Sequence, residues 1–254
     1  MANWSYSRFV RYVANNTDSE QMVVYSDSEL DERKFVDNAV EYLGRFWAPK
    51  LGREYTPQEW KTGKKGKPMA IDLVRFIDEN QKSEDREIDI AIEVKFIITS
   101  QDFTNQILED VLRLLSLQIA KEKYLLIGGR KEFYNKVWQN EAIKAILPLE
   151  HDPRFPVYQG KSAWARLWAP AQYHALGNIN IDRTALPKEV LNRLNTLTDG
   201  LQSQVGREDF KIDFKNFNVE LKSFFCPRGD WGLTDEDREC DFIDVRLWKF
   251  KSLS

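Results

Sequence analysis

The chain has 254 residues, 42% of them apolar, and a net charge of −3. A chain of this length can bury a hydrophobic core without the help of disulfides or structural metals. Its two cysteines are too few for a disulfide framework or a four-thiolate zinc site. No apolar run is long enough to span a bilayer, and residues 1–16 lack the apolar segment of a secretory signal, so we expect a cytoplasmic protein without membrane contact.

The first 150 residues predict an α/β domain. Apolar residues at helical spacing predict a helix over residues 29–47, and two strands are predicted at "KPMAIDLVRFIDE" and "EIDIAIEVKFII". A capping box from Thr99 to Asp102 predicts a buried helix reaching about residue 121. The strand "KYLLIGG" and a helix over residues 131–146 follow. A strand, helix, strand order implies a parallel pair of strands joined by a crossover.

The pattern changes near "LPLEHDPRFP", where prolines and charges predict a boundary. Beyond it we expect a helix near residues 187–202, opened by Pro187, and strands at 210–225 and 241–250. The sequence therefore predicts two regions. Residues 1–150 form the α/β core, and residues 151–254 form a C-terminal α+β extension.

The two strand candidates before the buried helix place charged residues opposite each other. If they pair as an antiparallel hairpin with its turn centred on residues 82 and 83, position 74 faces 91 and Asp72 faces Glu93. Opposed residues have Cβ atoms roughly 5 Å apart on one face of the sheet. A slip of one residue would turn Asp72 away, so the expected site depends on this register.

Two carboxylates at that distance repel each other, and a divalent cation between them relieves the repulsion. Mg²⁺ prefers oxygen ligands, which the side chains of Asp72 and Glu93 and the backbone carbonyl of Val94 supply. Lys95 points the same way as Glu93 and either orients or deprotonates a water molecule, or stabilises charge on a phosphate. This set of groups suits hydrolysis of a phosphodiester bond.

An acidic residue on one strand, Glu-x-Lys on the next, and then a helix and a strand resemble the PD-(D/E)XK nuclease superfamily. The resemblance covers roughly residues 30–130, and it departs from the usual pattern because the aspartate follows "PMAI" rather than a proline. It implies a restriction endonuclease-like core, a central mixed sheet flanked by helices, and cleavage of nucleic acid with Mg²⁺, for which Mn²⁺ substitutes. Many members have an acidic residue on the preceding helix, for which Glu41 is the candidate and Asp37 its rival.

Two further charged patterns have alternative interpretations. The loop "KTGKKGKP" either contacts phosphate or is a solvated loop, and its lysines are Lys61, Lys64, Lys65 and Lys67. A second strand-borne Glu-x-Lys, Glu220 to Lys222, follows Asp213 across a possible hairpin. No long apolar helix follows it, so an ordinary surface pair is the favoured interpretation.

The leading hypothesis is a Mg²⁺-dependent endonuclease that hydrolyses DNA, of restriction or phage-defence type. Asp72 and Glu93 bind the metal, Lys95 is the catalytic cation, and the C-terminal region binds substrate or forms a homodimer. Two alternatives stay open. One is an inactive nucleic-acid or protein binding module on the same fold, and the other is a nuclease subunit of a larger complex.

Overall fold

The computed structural model describes most of the chain. The described residues are 4–23, 32–61, 69–78, 87–97, 99, 101–148, 178–206, 210, 212, 216–225 and 243–253. The predicted boundary near residue 150 lies outside these ranges, as do residues 211 and 213–215 of the strand candidate at 210–225. None of the helices in these ranges is both long enough and apolar enough to cross a membrane.

The described helices and strands are interspersed along the chain. The helices are α1 (Tyr6–Val23), α2 (Glu32–Trp47), α3 (Thr104–Ser116), α4 (Lys131–Gln139), α5 (Glu141–Ile146) and α6 (Lys188–Val205). The strands are β1 (Leu51–Tyr55), β2 (Ile71–Phe76), β3 (Ile88–Ile97), β4 (Ala120–Arg130), β5 (Ile179–Ile181), β6 (Phe217–Phe225) and β7 (Ile243–Ser252). Short 3₁₀ turns cover Gln58–Trp60 and Arg183–Ala185.

The seven strands within the described residues belong to one mixed sheet in the order β1-β2-β3-β4-β7-β6-β5. Strands β3 and β4 are parallel and are joined through α3, whereas the other neighbouring strands are antiparallel. The expected α/β class with a mixed sheet flanked by helices is therefore confirmed. The described strands of the C-terminal region extend the sheet of the N-terminal region, because β7 pairs with β4.

The sheet separates two apolar layers. Residues of α1 and α2 pack on one face, including Phe9, Phe35 and Leu43. Residues of α3, α5 and α6 pack on the other, including Leu108 and Leu194. Strand β3 is buried at eight of its ten positions and apolar at seven, as expected for a central strand covered on both faces. A charged side chain on such a strand therefore needs partners nearby.

The hairpin register predicted from the sequence is confirmed. Val74 lies opposite Ala91 and Leu73 opposite Ile92, as the symmetric turn required. The next step of the same register sets Asp72 beside Glu93. An irregularity at Arg75 and Phe76 shifts the pairing by one residue at the other end of the hairpin, away from these two carboxylates.

Three predicted helix boundaries are wrong. The helix after β3 begins at Thr104, not at residue 99, and it ends at Ser116 because Leu117 is extended and Ala120 already begins β4. The single helix predicted over residues 131–146 is two helices, interrupted at Asn140. The Asn140 side chain accepts a hydrogen bond from the Ala142 amide and so caps the second helix. Helix α1 and strands β1 and β5 were not predicted.

Candidate active site

Asp72 is fixed against the strand that carries Glu93. Its Oδ2 accepts a hydrogen bond from the backbone amide of Val94 at 2.7 Å. The Asp72 side chain is half-buried, and the Val94 side chain lies in the apolar layer of the opposite face. Asp72 therefore has one carboxylate oxygen committed to the protein backbone, next to the residue predicted to share a metal with it.

Glu93 has no exposed surface and points toward α3. The Nε of Arg113 lies 2.9 Å from its Oε1, but the N–H is not directed at that oxygen, and neither atom makes a hydrogen bond. Burial raises the pKa of Glu93 well above its ordinary value. The positive charge of Arg113 opposes this increase, while the nearby carboxylates of Asp72 and Asp110 add to it.

Lys95 lies between two carboxylates from different helices. Its Nζ is 2.8 Å from Oε2 of Glu32, the first residue of α2, and 4.0 Å from Oδ2 of Asp110 on α3. Burial lowers the pKa of Lys95, but the charges of Asp110 and Glu32 outweigh burial and hold that pKa above its ordinary value. Lys95 is therefore a protonated cation at neutral pH.

Helix α3 contributes Asp110 and Arg113, which are three residues apart and so lie on one face of the helix. Arg113 Nη2 donates a hydrogen bond to Asp110 Oδ1. Burial raises the pKa of Asp110 to about 7, against the lowering effect of Arg113 and Lys95. Sequence reasoning missed both residues, and the signal that marks them is an aspartate and an arginine three residues apart within the apolar part of the helix.

These side chains form a cluster with an excess of negative charge, which we call the β3–α3 cluster. Its members are Glu32, Asp72, Glu93, Lys95, Asp110 and Arg113. Four carboxylates against two cations leave a net charge of −2 when every group is ionised. A divalent cation neutralises that charge. Otherwise the cluster retains protons, in agreement with the raised pKa values of Glu93 and Asp110.

The residues present fit a divalent cation in one respect. Within the described ranges, no three His, Cys, Asp or Glu side chains are grouped as metal ligands. The predicted site, however, uses only two carboxylates and a backbone carbonyl, so it does not require three such side chains. Glu93 Oε2 and Asp110 Oδ2 are buried oxygens to which no described group donates a hydrogen bond. Carboxylate oxygens are ligands that a hard cation prefers, and these two oxygens have no hydrogen-bond donor in the described residues that would compete with it.

The helix residue predicted to complete the site lies elsewhere. Glu41 is exposed and accepts hydrogen bonds from Tyr12 of α1 and from Arg45. Its rival Asp37 is also exposed and pairs with Arg53 at 2.7 Å. The carboxylate of α2 that contacts the cluster is Glu32, more than two turns earlier. Helical spacing identified the helix but not the turn that reaches Lys95.

The other charged patterns have separate positions. Lys61 is exposed after the 3₁₀ turn Gln58–Trp60, while Lys64, Lys65 and Lys67 lie outside the described residues. Glu220 and Lys222 pair with each other at 2.6 Å on β6. Asp213, which would have faced them, is not among the described residues.

Comparison with known proteins gives no relative from which a function could be inferred, so any functional assignment depends on these residues. No protein-family model, no curated protein and no solved structure matches this chain.

Proposed function

We propose that the protein is a Mg²⁺-dependent nuclease that hydrolyses phosphodiester bonds of DNA, with a restriction endonuclease-like core from α2 to β4. The observation that carries this proposal is the meeting of Asp72, Glu93 and Lys95 on one sheet face, with the Glu93 carboxylate fully buried. The order helix, three antiparallel strands, helix, parallel strand supports the resemblance noted in the sequence. A role in restriction or phage defence is part of the same proposal.

Four residues of the cluster have roles in this function. Asp72 and Glu93, with the Val94 carbonyl, hold the cation, and Glu32 takes the place assigned to Glu41. A bound Mg²⁺ supplies Lewis-acid activation of water and neutralises charge on the phosphate. Lys95 stabilises the negative charge that develops on the phosphate oxygens. Its two carboxylate neighbours keep it protonated, which favours this role over that of a general base.

One observation favours a second candidate, a binding module without catalysis. Arg113 already supplies a positive charge to Glu93 at 2.9 Å, and such an internal cation is what an inactive core of this fold needs in place of a metal. In that case the cluster stabilises the fold, and nucleic acid or protein binds elsewhere on the surface. A nuclease subunit that requires partner proteins is consistent with the same residues.

A cleavage assay with matched variants tests the proposal. The purified full chain, Asp72→Asn, Lys95→Ala and the control Lys222→Ala are incubated with supercoiled plasmid and Mg²⁺ or Mn²⁺. Lys222 belongs to the other strand-borne Glu-x-Lys, so it controls for loss of a paired lysine on a strand. We expect wild type and Lys222→Ala to cleave at similar rates, and the two site variants to be at least about 100-fold slower.

Calorimetric titration with Mg²⁺ accompanies the assay. The nuclease proposal is overturned if wild type neither binds the cation nor cleaves under varied substrates and metals, or if Asp72→Asn cleaves as fast as wild type. DNA binding that persists in EDTA without any cleavage would establish the binding module instead.

A further inference from the structure

The guanidinium of Arg113 occupies a position between two of the carboxylates of the β3–α3 cluster. It contacts Glu93 of β3 on one side and Asp110 of its own helix on the other. The Glu93 carboxylate has no exposed surface. Its negative charge is therefore stabilised by the charge of Arg113 and not by water. Two buried carboxylates therefore share one cation.

The two contacts of Arg113 are not equivalent. Nη2 donates a hydrogen bond to Asp110, while Nε lies near Glu93 without directing its N–H at the carboxylate. The Asp110 contact joins residues three apart on one helix, where side chains are neighbours by geometry. Arg113 is thus tethered to α3 by Asp110, and it meets Glu93 as a charge rather than as a directed hydrogen-bond donor.

We infer that Arg113 is a resident counter-cation of Glu93 that competes with a divalent cation for this carboxylate and so sets the metal affinity of the site. The inference rests on the proposed function, because it takes Glu93 as a metal ligand. When the cation is bound, Arg113 releases Glu93 and remains attached to Asp110. The part of its guanidinium that does not contact Asp110 then lies beside the site, where it presents planar donors to a phosphate.

Charge explains the competition. Two positive groups on one buried carboxylate repel each other strongly, since interactions between charges are screened much less inside a protein than in water. Glu93 therefore exchanges one cation for the other instead of holding both.

Metal affinity without substrate provides the test. The full-length wild type, Arg113→Met, Arg113→Lys and the control Arg75→Met are titrated with MgCl₂ and MnCl₂ by calorimetry at pH 9, where protons compete least for Glu93. Arg75 is a matched control because its side chain is 27% exposed, against 23% for Arg113, and it also pairs with an aspartate, Asp89. Circular dichroism of each variant monitors folding.

We expect Arg113→Met to bind Mg²⁺ about tenfold or more tightly than wild type. Arg113→Lys, which keeps the charge, stays within about threefold of wild type, and Arg75→Met does not change the affinity. Tighter binding in Arg113→Met when wild type binds too weakly to measure also supports the inference. If wild type binds Mg²⁺ and Arg113→Met binds equally or less tightly, the inference fails and the proposed function stands. If neither binds, the inference fails, and the proposed function fails with it only if wild type also does not cleave DNA.

A measurement on the wild type covers the case in which Arg113→Met does not fold. The Nε–H resonance of Arg113 is assigned in a ¹⁵N spectrum by its disappearance in Arg113→Lys. We expect this resonance to shift as Mg²⁺ saturates the protein while that of Arg75 stays in place. An Arg113 resonance unchanged at saturation would contradict release of Glu93.

Discussion

The carboxylate of Glu93 is removed from water on every side, and burial is the main cause of its raised pKa. In an unfolded chain the same group titrates near its ordinary value. The folded protein therefore binds more protons than the unfolded chain at pH values between the two pKa values. Stability contributed by this group is fully present below the unfolded pKa and is lost as pH rises through the folded one.

Replacing Glu93 by Gln removes this pH-dependent loss. We expect Glu93→Gln to be more stable than wild type without metal at pH 7–8, by roughly 1–3 kcal/mol, and the gain to shrink toward pH 4.5. The same variant loses stabilisation by Mg²⁺. Urea unfolding from pH 4.5 to 8, with and without the cation, measures both effects. A gain that does not vary with pH would contradict this account of Glu93.

Lys123 connects elements around the end of α3. Its Nζ donates to the carbonyl of Leu115 in the last turn of α3 and to Ser252 Oγ in β7, each at 3.3 Å. Burial lowers the pKa of Lys123 to about 8, against a smaller opposing effect of Glu59. Below pH 8 the fold therefore holds a buried charge. Between pH values of about 8 and 10.5, the unfolded chain keeps a proton on Lys123 that the folded protein has released. The stability contribution of Lys123 therefore increases as pH rises through this range.

The substitution Lys123→Met tests this charge, because it keeps much of the side-chain volume. We expect Lys123→Met to be more stable than wild type at pH 7 by roughly 1–3 kcal/mol, after allowing for the two lost hydrogen bonds. The difference decreases between pH 8 and 10.5. Denaturant unfolding at pH 7, 8.5 and 10 measures it, and an equal difference at all three pH values would show that the charge is not the cause.

The parallel pairing of β3 and β4 requires a residue without a side chain at position 129. A Cβ added to Gly129 would lie 2.6 Å from the backbone oxygen of Ile97, its partner in the register. The backbones of β3 and β4 cannot separate here to make room for a Cβ without disturbing the end of β3, just beyond Lys95. Gly200 in α6, by contrast, has no atom within 4 Å of such a Cβ.

Alanine at these two positions therefore has opposite effects. We expect Gly129→Ala to destabilise the protein by about 1–3 kcal/mol through overpacking. Gly200→Ala should stabilise it by about 0.5–1 kcal/mol, because alanine restricts the unfolded chain and favours a helix. Thermal and urea unfolding of both variants provide the measurement. Equal stability of Gly129→Ala and wild type would place the tight contact in doubt.

At the scale of the whole molecule, the sheet contains strands from both the N-terminal and the C-terminal regions of the chain. Strand β7 pairs with β4 from Lys123↔Phe250 to Arg130↔Ile243, and it separates β4 from β6. Trp248 on β7 is fully buried opposite Leu125, in the apolar layer that also contains α3. The candidate site therefore depends on a core to which the C-terminal strands contribute.

A truncated chain tests the predicted division at residue 150. Residues 1–150 alone would leave one edge of β4 unpaired and expose the apolar surface that Trp248 and Phe250 cover. We expect this fragment to aggregate or to lack a cooperative melting transition. Size-exclusion chromatography and circular dichroism provide the measurement. A soluble, cooperatively folding fragment that binds Mg²⁺ would support two independent domains.

The local sequence determined the central hairpin and its pair of carboxylates. The position of the polar turn between two apolar strands predicts the register, since a symmetric turn centred on residues 82 and 83 determines which residues lie opposite each other. This is why Val74 lies opposite Ala91, and why the amino-acid pattern alone is enough to pair Asp72 with Glu93. The nuclease function attached to them remains a proposal that the cleavage assay tests.

The tertiary structure alone decided which residues surround that pair. Helical periodicity shows which face of α2 is buried but not which turn reaches the end of β3, so Glu32, not Glu41, contacts Lys95. Asp110 and Arg113 join Glu93 because α3 packs across the sheet, and β7 joins β4 although about 120 residues separate them in the chain. Such contacts depend on packing between distant segments, which leaves no periodic signal in either segment.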